Sequence, residues 1–158
     1  MRRILARLLA LLLLLALPAW AEALVEGNTA INENVTVEYG GSYSGKEEVA
    51  LYLYAFCELP VNYITKAEAR RLGWDNRQGN LWDVAYGKSI GGDVFGNREG
   101  LLPDARGRTW YECDVNYKGG YRGGERLLFS SDGLICYSGD HYKSYELLYE
   151  GWYEEDAA

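Results

Sequence analysis

The stretch RLLFSSDGLICYS, residues 126–138, decides the fold class of this 158-residue chain. Two apolar runs flank Ser131, Asp132 and Gly133. A short turn that contains Asp-Gly between such runs is a strong local signal for a β-hairpin. The stretch therefore predicts two antiparallel strands joined by a tight turn.

The rest of the chain places helices before strands. Residues 45–57 carry apolar side chains at helical spacing after a predicted capping box, Ser44 to Glu47, and a second box, Thr65 to Glu68, opens a short helix that Gly73 can close. Asn80 is predicted to cap a third helical turn. Beyond residue 86, strands are predicted near residues 89–94, 108–115, 124–130, 133–138 and 145–149. This order predicts an α+β domain with N-terminal helices packed on one face of a C-terminal antiparallel β-sheet.

The two ends of the chain differ from the middle in composition. Residues 1–21 have three arginines, a Leu/Ala run and small residues at Ala19 and Ala21, the pattern of a secretory signal peptide. The apolar run is shorter than a membrane span requires, so a retained anchor is the weaker alternative. Residues 22–43 are predicted to be a linker or pro-segment in which residues 35–37 can form a short strand, residues 44–149 the folded domain, and residues 150–158 an acidic tail.

The charge of the chain gives no support for nonspecific nucleic-acid binding. The net charge is −7, and it becomes −10 if the three arginines of residues 1–21 are removed. Residues 44–149 hold 13 basic and 15 acidic side chains, so most of the acidity lies in the flanks. Any case for nucleic acid must therefore rest on local arrangement. The odd number of cysteines leaves their pairing open, and their spacing fits no zinc site.

One face of the predicted sheet carries the charged residues of interest. In residues 111–115, Cys113 and Val115 alternate with Glu112 and Asp114, so one face is apolar and the other acidic. The side chain of Arg126 can lie near Glu112 on the next strand. This pattern fits either a carboxylate in a cationic setting or an ordinary solvated surface with salt bridges. The single histidine, His141, lies in a polar turn, where a lone histidine is more often an incidental surface residue than a catalytic one.

Several segments taken together resemble the barnase family of bacterial guanyl-preferring ribonucleases. The resemblance runs from about Glu47 to Tyr149 and is carried by LPVNYITK at residues 59–66, GKSIGGD at 87–93, NREG at 97–100, GRTW at 107–110, SSD at 130–132 and DHY at 140–142. It implies a secreted enzyme that cuts single-stranded RNA after guanosine, without a cofactor or metal. The products implied are a 2′,3′-cyclic phosphate, which is then hydrolysed, and a free 5′ hydroxyl.

The resemblance also implies roles for individual residues. Glu112 corresponds to the general base and His141 to the general acid. The cations implied to stabilise the phosphate are Lys66, Arg122 and Arg126. The residues implied to bind the base and its surroundings are Phe95, Gly96, Asn97, Arg98, Glu99 and Tyr142, with Asp93 as a buried acid that orients Lys66. Gly96 stands where a serine is expected, which leaves the strength of guanine preference open.

Two other functions compete with a secreted ribonuclease. The first is an RNA- or nucleotide-binding module without turnover, although such a module has no need for both an acid and a base. The second is a toxin used against neighbouring cells, which sequence alone does not separate from nutrient scavenging. The resemblance further implies a monomer without membrane attachment after signal cleavage, and a barstar-like acidic inhibitor protein as a partner.

Overall fold

A computed structural model describes residues 23–152 of the chain. The signal peptide predicted for residues 1–21 and the end of the predicted tail, residues 153–158, lie outside the described residues. The helices are α1 (Lys46–Phe56), α2 (Lys66–Arg71) and α3 (Leu81–Val84). The strands are β1 (Leu24–Glu26), β2 (Thr29–Ile31), β3 (Thr36–Glu38), β4 (Tyr63–Ile64), β5 (Ser89–Phe95), β6 (Trp110–Asp114), β7 (Arg126–Ser130), β8 (Leu134–Ser138) and β9 (Glu146–Glu150).

The strands form two sheets. The larger has the order β4-β5-β6-β7-β8-β9, in which β4 pairs with β5 in parallel and the other neighbours are antiparallel. The predicted α+β class is confirmed, and each of the five predicted strands begins and ends within two residues of an observed one. The turn at residues 131–133 joins β7 to β8, with Gly133 at a positive φ of 96° that favours glycine.

Helix α1 is buried on two sides. Five consecutive residues, Val49 to Leu53, are fully buried. Val49 and Leu53 pack on the larger sheet, whereas Leu51 and Tyr52 belong to a second cluster. The sequence predicted that only one face of this helix is buried, whereas the structure buries two faces. The predicted capping box was also displaced by one residue, because Gly45 precedes the first turn and its amide donates to the Glu48 carboxylate at 3.3 Å.

Strands β1, β2 and β3 form an antiparallel sheet that covers the outer side of α1. Ala30 and Val37 are fully buried in this contact, and the Tyr52 hydroxyl accepts a hydrogen bond from the Gly40 amide at 2.9 Å. Residues 22–43 were predicted to be a linker or pro-segment. The part of this segment that the structure describes is folded against the domain as β1, β2 and β3, and β3 overlaps the short strand predicted at residues 35–37. Its removal as a pro-segment stays a prediction.

The predicted tail also begins inside the fold. Glu150 is the last residue of β9, the Gly151 amide donates to the Gly133 carbonyl at 3.0 Å, and Trp152 packs against the main core. Residues 150–152 therefore belong to the domain rather than to a tail. Within residues 23–152, no helix is long and apolar enough to cross a membrane.

The short helix α2 has the predicted capping box. The Thr65 hydroxyl accepts from the Glu68 amide, and the Glu68 carboxylate accepts from the Thr65 amide at 2.7 Å. Gly73, at a φ of 100°, follows the end of the helix. Since β4 is the edge strand, runs into α2 and pairs with β5, the first residue of the helix, Lys66, is fixed close to β5 and β6 of the larger sheet.

Candidate active site

Glu112 lies at the middle of β6 and is 6% exposed. Lys66 Nζ forms an ion pair with its Oε1 atom, and the Tyr142 hydroxyl donates a hydrogen bond to its Oε2 atom. Both carboxylate oxygens are therefore held by donors from other elements. The alternation of the strand, predicted from sequence, places the neighbouring Cys113 in the core beneath α1.

The pKa of Glu112 is lowered although the residue is buried. Burial acts to raise this pKa, but the hydrogen bonds from Lys66 and Tyr142, with the charges of Lys66 and Arg122, outweigh it. The carboxylate is thus ionised at neutral pH in a water-poor setting. Burial and the hydrogen bond to Glu112 raise the pKa of Tyr142, so its phenol keeps its proton.

Arg122 and Arg126 share a second carboxylate, Asp114, at the end of β6. Arg122 donates to both oxygens of Asp114 at 2.7 Å, and Arg126 Nε lies 3.0 Å from Oδ1 of the same side chain. Asp114 is 2% exposed. Its position on the face of Glu112 is visible in the strand pattern, but its role as the shared anchor of two arginines was missed by sequence reasoning.

Three cations and three carboxylates meet at this site. Lys66, Arg122 and Arg126 form ion pairs with Glu112 and Asp114, and the carboxylate of Asp93 accepts from the Lys66 amide. An anion brought to this surface would therefore be stabilised by direct contact with the cations and not by a net positive charge of the site.

His141 is exposed and lies in the turn between β8 and β9. Its φ of 57° and the φ of 71° at Tyr142 place both residues in the left-handed region of backbone conformation, which residues other than glycine rarely adopt. Asp140 stabilises this turn by accepting from the amides of Lys143 and Ser144 at 3.0 Å each. These bonds, with that of the Ser144 hydroxyl, lower the pKa of Asp140 to about 2. Backbone strain of this kind is tolerated where the surroundings fix the conformation, often at functional sites.

Tyr142 connects the parts of the site. Its hydroxyl contacts Glu112 and accepts from Arg126 Nε at 3.1 Å, while its ring lies 4.8 Å from that of His141. On another side it stacks on Phe95, with ring centroids 5.1 Å apart. A groove next to His141 is lined by Arg122, Arg126 and His141, together with Asn76, Gly123 and Gly124.

Phe95 begins the predicted base-binding loop, and residues 94–99 line one concave surface. Asn97, at a φ of 43°, fixes the loop through two bonds to the main chain of Leu102, at 3.0 and 3.1 Å. Arg98 and Glu99 are exposed. A β-carbon added at Gly96 would meet only Arg98, at 3.6 Å, which is an ordinary van der Waals contact. The structure thus has room for the serine that the resemblance leads one to expect at this position.

Asp93 has a more specific place than the resemblance implied. It is half-buried rather than buried, pairs with Glu112 across β5 and β6, and accepts from the Lys66 main-chain amide at 2.9 Å. It therefore positions Lys66 through the backbone and not through the ammonium group. The site residues predicted from sequence thus lie on one face of the larger sheet, in the turn that carries His141 or in the loop of residues 95–99.

The arrangement combines an ionised carboxylate, an exposed imidazole and three cations. A carboxylate that accepts a proton and an imidazole that donates one are the components of general acid–base catalysis. Cations beside such a pair stabilise charge that develops on an oxyanion. The chemistry that fits is proton transfer around an anionic substrate.

Comparison with known proteins agrees with this geometry. The family model described as ribonuclease matches residues 47–149, which include all the site residues above. The chain belongs to the barnase family of ribonucleases. It is therefore an endoribonuclease.

Individual members of the family match over much of their length. A ribonuclease of Bacillus intermedius is 50% identical over 123 residues, 74% of this chain and 76% of the relative. A ribonuclease of Heyndrickxia coagulans is 58% identical over 97 residues, 61% of this chain and 89% of the relative. A shorter match joins the chain to guanyl-specific ribonuclease St of Saccharopolyspora erythraea, 40% identical over 57 residues, 35% of this chain and 56% of the relative.

Proposed function

We propose that the protein cleaves single-stranded RNA on the 3′ side of guanosine by transesterification, without a metal ion. The observation that carries the proposal is the ionised Glu112 beside three cations, with the His141 ring 4.8 Å from that of Tyr142. RNA supplies its own nucleophile, the 2′ hydroxyl, so the enzyme has to move two protons and stabilise a phosphorane. The named residues supply all three functions, which leaves no step that requires a metal.

In the first step, Glu112 removes the proton of the 2′ hydroxyl while the 2′ oxygen forms a bond to phosphorus. The bond from phosphorus to the 5′ oxygen breaks, and His141 donates a proton to that oxygen. Lys66, Arg122 and Arg126 stabilise the negative charge on the non-bridging oxygens. The products are a 2′,3′-cyclic phosphate and a free 5′ hydroxyl, and water then opens the cyclic ester. DNA lacks the 2′ hydroxyl and is not a substrate.

The guanine preference is assigned to residues 95–99. Main-chain amides near Asn97 and Arg98 would bind the guanine O6 atom, and Glu99 would accept from N1 and the exocyclic amine. The support is the concave surface of residues 94–99, the exposed Glu99 and the fixed conformation of Asn97. The name of the guanyl-specific relative agrees with this preference.

The test compares the dinucleotides GpU and ApU. We expect cleavage of GpU to be faster by at least ~10²-fold, a lower bound for a site that hydrogen-bonds its substrate, since such sites can discriminate by about 10⁴-fold. Chromatography should show the 2′,3′-cyclic phosphate of guanosine, and EDTA should not reduce the rate. Equal rates on the two dinucleotides would contradict the base assignment, and activity lost in EDTA and restored by a divalent ion would contradict the mechanism.

We also propose that the protein acts as a secreted monomer after removal of residues 1–21. The resemblance to the barnase family is the basis for a barstar-like acidic inhibitor in the producing cell, and the cations Lys66, Arg122 and Arg126 could pair with acidic groups of such a partner. Detection of the mature chain in culture medium, starting near Glu22, tests the secretion.

A further inference from the structure

A separate cavity lies next to the base-binding loop and takes no part in the mechanism above. Its volume is about 390 Å³, within the size range of ligand pockets. Most of its wall is apolar and is formed by Leu101, Leu102, Pro103, Leu134, Cys136 and Leu147. None of these residues has a role in the proton transfers or in phosphate binding, so the cavity is a candidate for a second ligand.

Two leucines of this cavity are exposed to solvent. Leu101 and Leu147 are each 53% exposed, although they come from different parts of the chain, the segment after the base-binding loop and β9. Single exposed leucines are common on protein surfaces, whereas apolar side chains grouped at an open cavity mark binding sites. An apolar ligand that covered both leucines would remove their surface from water, which is favourable.

The charged residues of the cavity favour a cationic ligand. Arg108 lines the cavity, but its guanidinium already donates to the Asp132 carboxylate at 2.7 to 3.0 Å and to the Pro103 carbonyl at 2.7 Å. Glu150 also lines the cavity and is exposed. Within residues 23–152, no cationic side chain lies within 4.0 Å of its carboxylate. The negative charge of Glu150 is therefore available to a ligand, while the positive charge of Arg108 is not.

Leu102 connects the cavity to the base-binding loop. Its amide donates to the Asn97 side chain at 3.1 Å, and its carbonyl accepts from the same side chain at 3.0 Å. Leu102 and Cys136 also belong to a buried cluster against which Phe95 and Tyr142 pack from the side of the active site. A molecule that contacts Leu102 in the cavity thus acts on the residues that hold the loop in place.

We propose that this cavity binds an arylalkylammonium ion, a small cation with an aromatic body, and that the bound ion strengthens base recognition by residues 95–99. The aromatic body covers Leu101 and Leu147, and the ammonium group pairs with Glu150. The effect on recognition rests on the proposed function, because it requires that residues 95–99 bind guanine. It arises because a ligand packed on Leu102 restrains the segment that fixes Asn97, so less conformational freedom is lost when the base binds.

Tryptamine is the probe, because it joins an indole ring to one ammonium group. An NMR titration of the chain from Glu22 onward should shift the amide signals of Leu102 and Cys136, with a Kd of about 1 mM or lower for a ligand of this size. Indole-3-acetate has the same ring and a negative charge. It should bind about fivefold more weakly, since an attraction at an exposed carboxylate is replaced by a repulsion.

Two variants test the contacts of the probe. Leu147→Ser should raise the Kd of tryptamine by about fivefold, because apolar contact area is lost. Glu150→Gln should reduce the preference for tryptamine over indole-3-acetate. The matched controls are Leu72→Ser, at a leucine that is 54% exposed, and Glu33→Gln, at an exposed glutamate. Neither control residue lines the cavity, so both should bind tryptamine as the wild type does.

Guanosine 3′-monophosphate tests the effect on base recognition. Saturating tryptamine should lower the Kd of this nucleotide by about fivefold, and the nucleotide should lower the Kd of tryptamine by the same factor, because coupling between two sites is reciprocal. Adenosine 3′-monophosphate carries the same charge and is the control. Its Kd should change less, since the coupling acts through the guanine-binding loop and not through long-range attraction between the ions.

The outcomes separate this site from the proposed function. If tryptamine does not shift Leu102 and Cys136, or if it binds folded Leu147→Ser as tightly as the wild type, the site is overturned. Tryptamine binding that appears only after deletion of residues 153–158, or a dimer in sedimentation that Leu147→Ser dissociates, would also overturn it, because the chain itself would then occupy the cavity. Binding without any change in the Kd of guanosine 3′-monophosphate would overturn the effect on recognition. If the wild type binds the two nucleotides equally, the proposed guanine preference fails, whereas the shifts at Leu102 and Cys136 still support the ligand site.

Discussion

Arg122 binds Asp114 through two parallel hydrogen bonds, each 2.7 Å long. Paired bonds of this kind fix the orientation of the guanidinium plane as well as its position. Burial acts to lower the pKa of Arg122, but the hydrogen bonds and charge of Asp114 outweigh it and raise the pKa. Asp114 is therefore a positioning residue for the cations that face the phosphate.

Replacing Asp114 with asparagine should slow catalysis without weakening anion binding. The variant Asp114→Asn keeps the shape of the side chain but removes the charge that anchors Arg122 and Arg126. We expect kcat on GpU to fall by about 10-fold to 100-fold, the cost of small misplacement at a reacting centre. The inhibition constant of inorganic phosphate should not rise, because the site becomes more positive.

Stability gives a second measurement on the same variant. Breaking one side of a buried ion pair costs about 3 kcal/mol of unfolding free energy. The control Glu47→Gln, in a surface pair in which Glu47 is 45% exposed, should cost less than about 1 kcal/mol. Wild-type kcat in folded Asp114→Asn would contradict the positioning role.

Tyr142→Phe should move the acidic side of the pH profile. Glu112 acts as a base only when ionised, so kcat/KM falls as the pH falls through its pKa. Since that pKa is lowered, the decline of kcat/KM in the wild type should lie below the usual glutamate pKa of about 4.3. Loss of the phenol hydroxyl removes one hydrogen bond that stabilises the ionised carboxylate, while the effect of burial remains. The pKa of Glu112 therefore rises, and the decline of kcat/KM moves to higher pH.

The measurement is kcat/KM on GpU between pH 3 and pH 8. Tyr142→Phe should lose a larger fraction of its activity at acidic pH than the wild type does. The control is Tyr137→Phe, which removes a hydroxyl bonded to Glu125 at 2.7 Å, away from Glu112. An acidic limb that does not shift in Tyr142→Phe would show that the phenol does not stabilise the ionised base.

The face of the sheet that carries Glu112 could be predicted because strand alternation is a local property. Residues 111–115 alternate within one short segment, and this was sufficient to separate Glu112 from Cys113. The contacts of Asp114 could not be predicted in the same way. They depend on Arg122 and Arg126, whose distance from β6 is set by the β6–β7 connection and not by any periodicity.

Only the third strand of the N-terminal sheet, near residues 35–37, could be predicted from the sequence, and the other two were missed for a related reason. Each of its strands has three residues, which is too short for an alternating pattern to stand out from a loop. Its position on α1 is determined by tertiary packing of Ala30 and Val37 on Leu51 and Tyr52. This contact buries the side of α1 that faces away from the larger sheet. The sequence pattern predicted only the apolar face that packs on the larger sheet.

Val37→Ala tests whether this sheet is part of the folded domain. Val37 is fully buried against α1, so we expect the unfolding free energy to fall by about 2 kcal/mol, the scale for deleting buried methyl groups. Urea unfolding of the chain from Glu22 onward measures it. The control Val61→Ala, at a valine that is 54% exposed, should change it by less than about 0.5 kcal/mol. Equal stability of the two variants would mean that the segment behaves as a linker.

His141→Ala addresses the central assignment. His141 is assigned to donate a proton to the leaving 5′ oxygen, and the sequence holds no second histidine that could replace it. We expect kcat on GpU to fall by at least ~10²-fold in His141→Ala, the usual scale for the loss of an acid–base group.

The backbone at this position requires a second variant. His141 has a φ of 57°, a conformation that alanine adopts at a cost but that asparagine tolerates well. His141→Asn should therefore fold as the wild type does and show the same loss of kcat, which separates lost proton transfer from a distorted turn. Glu112→Ala should instead lose the acidic side, while the cyclic phosphate remains the product of any residual activity. Near-wild-type kcat in folded His141→Asn would leave the histidine as an incidental surface residue and would require another acid for the leaving oxygen.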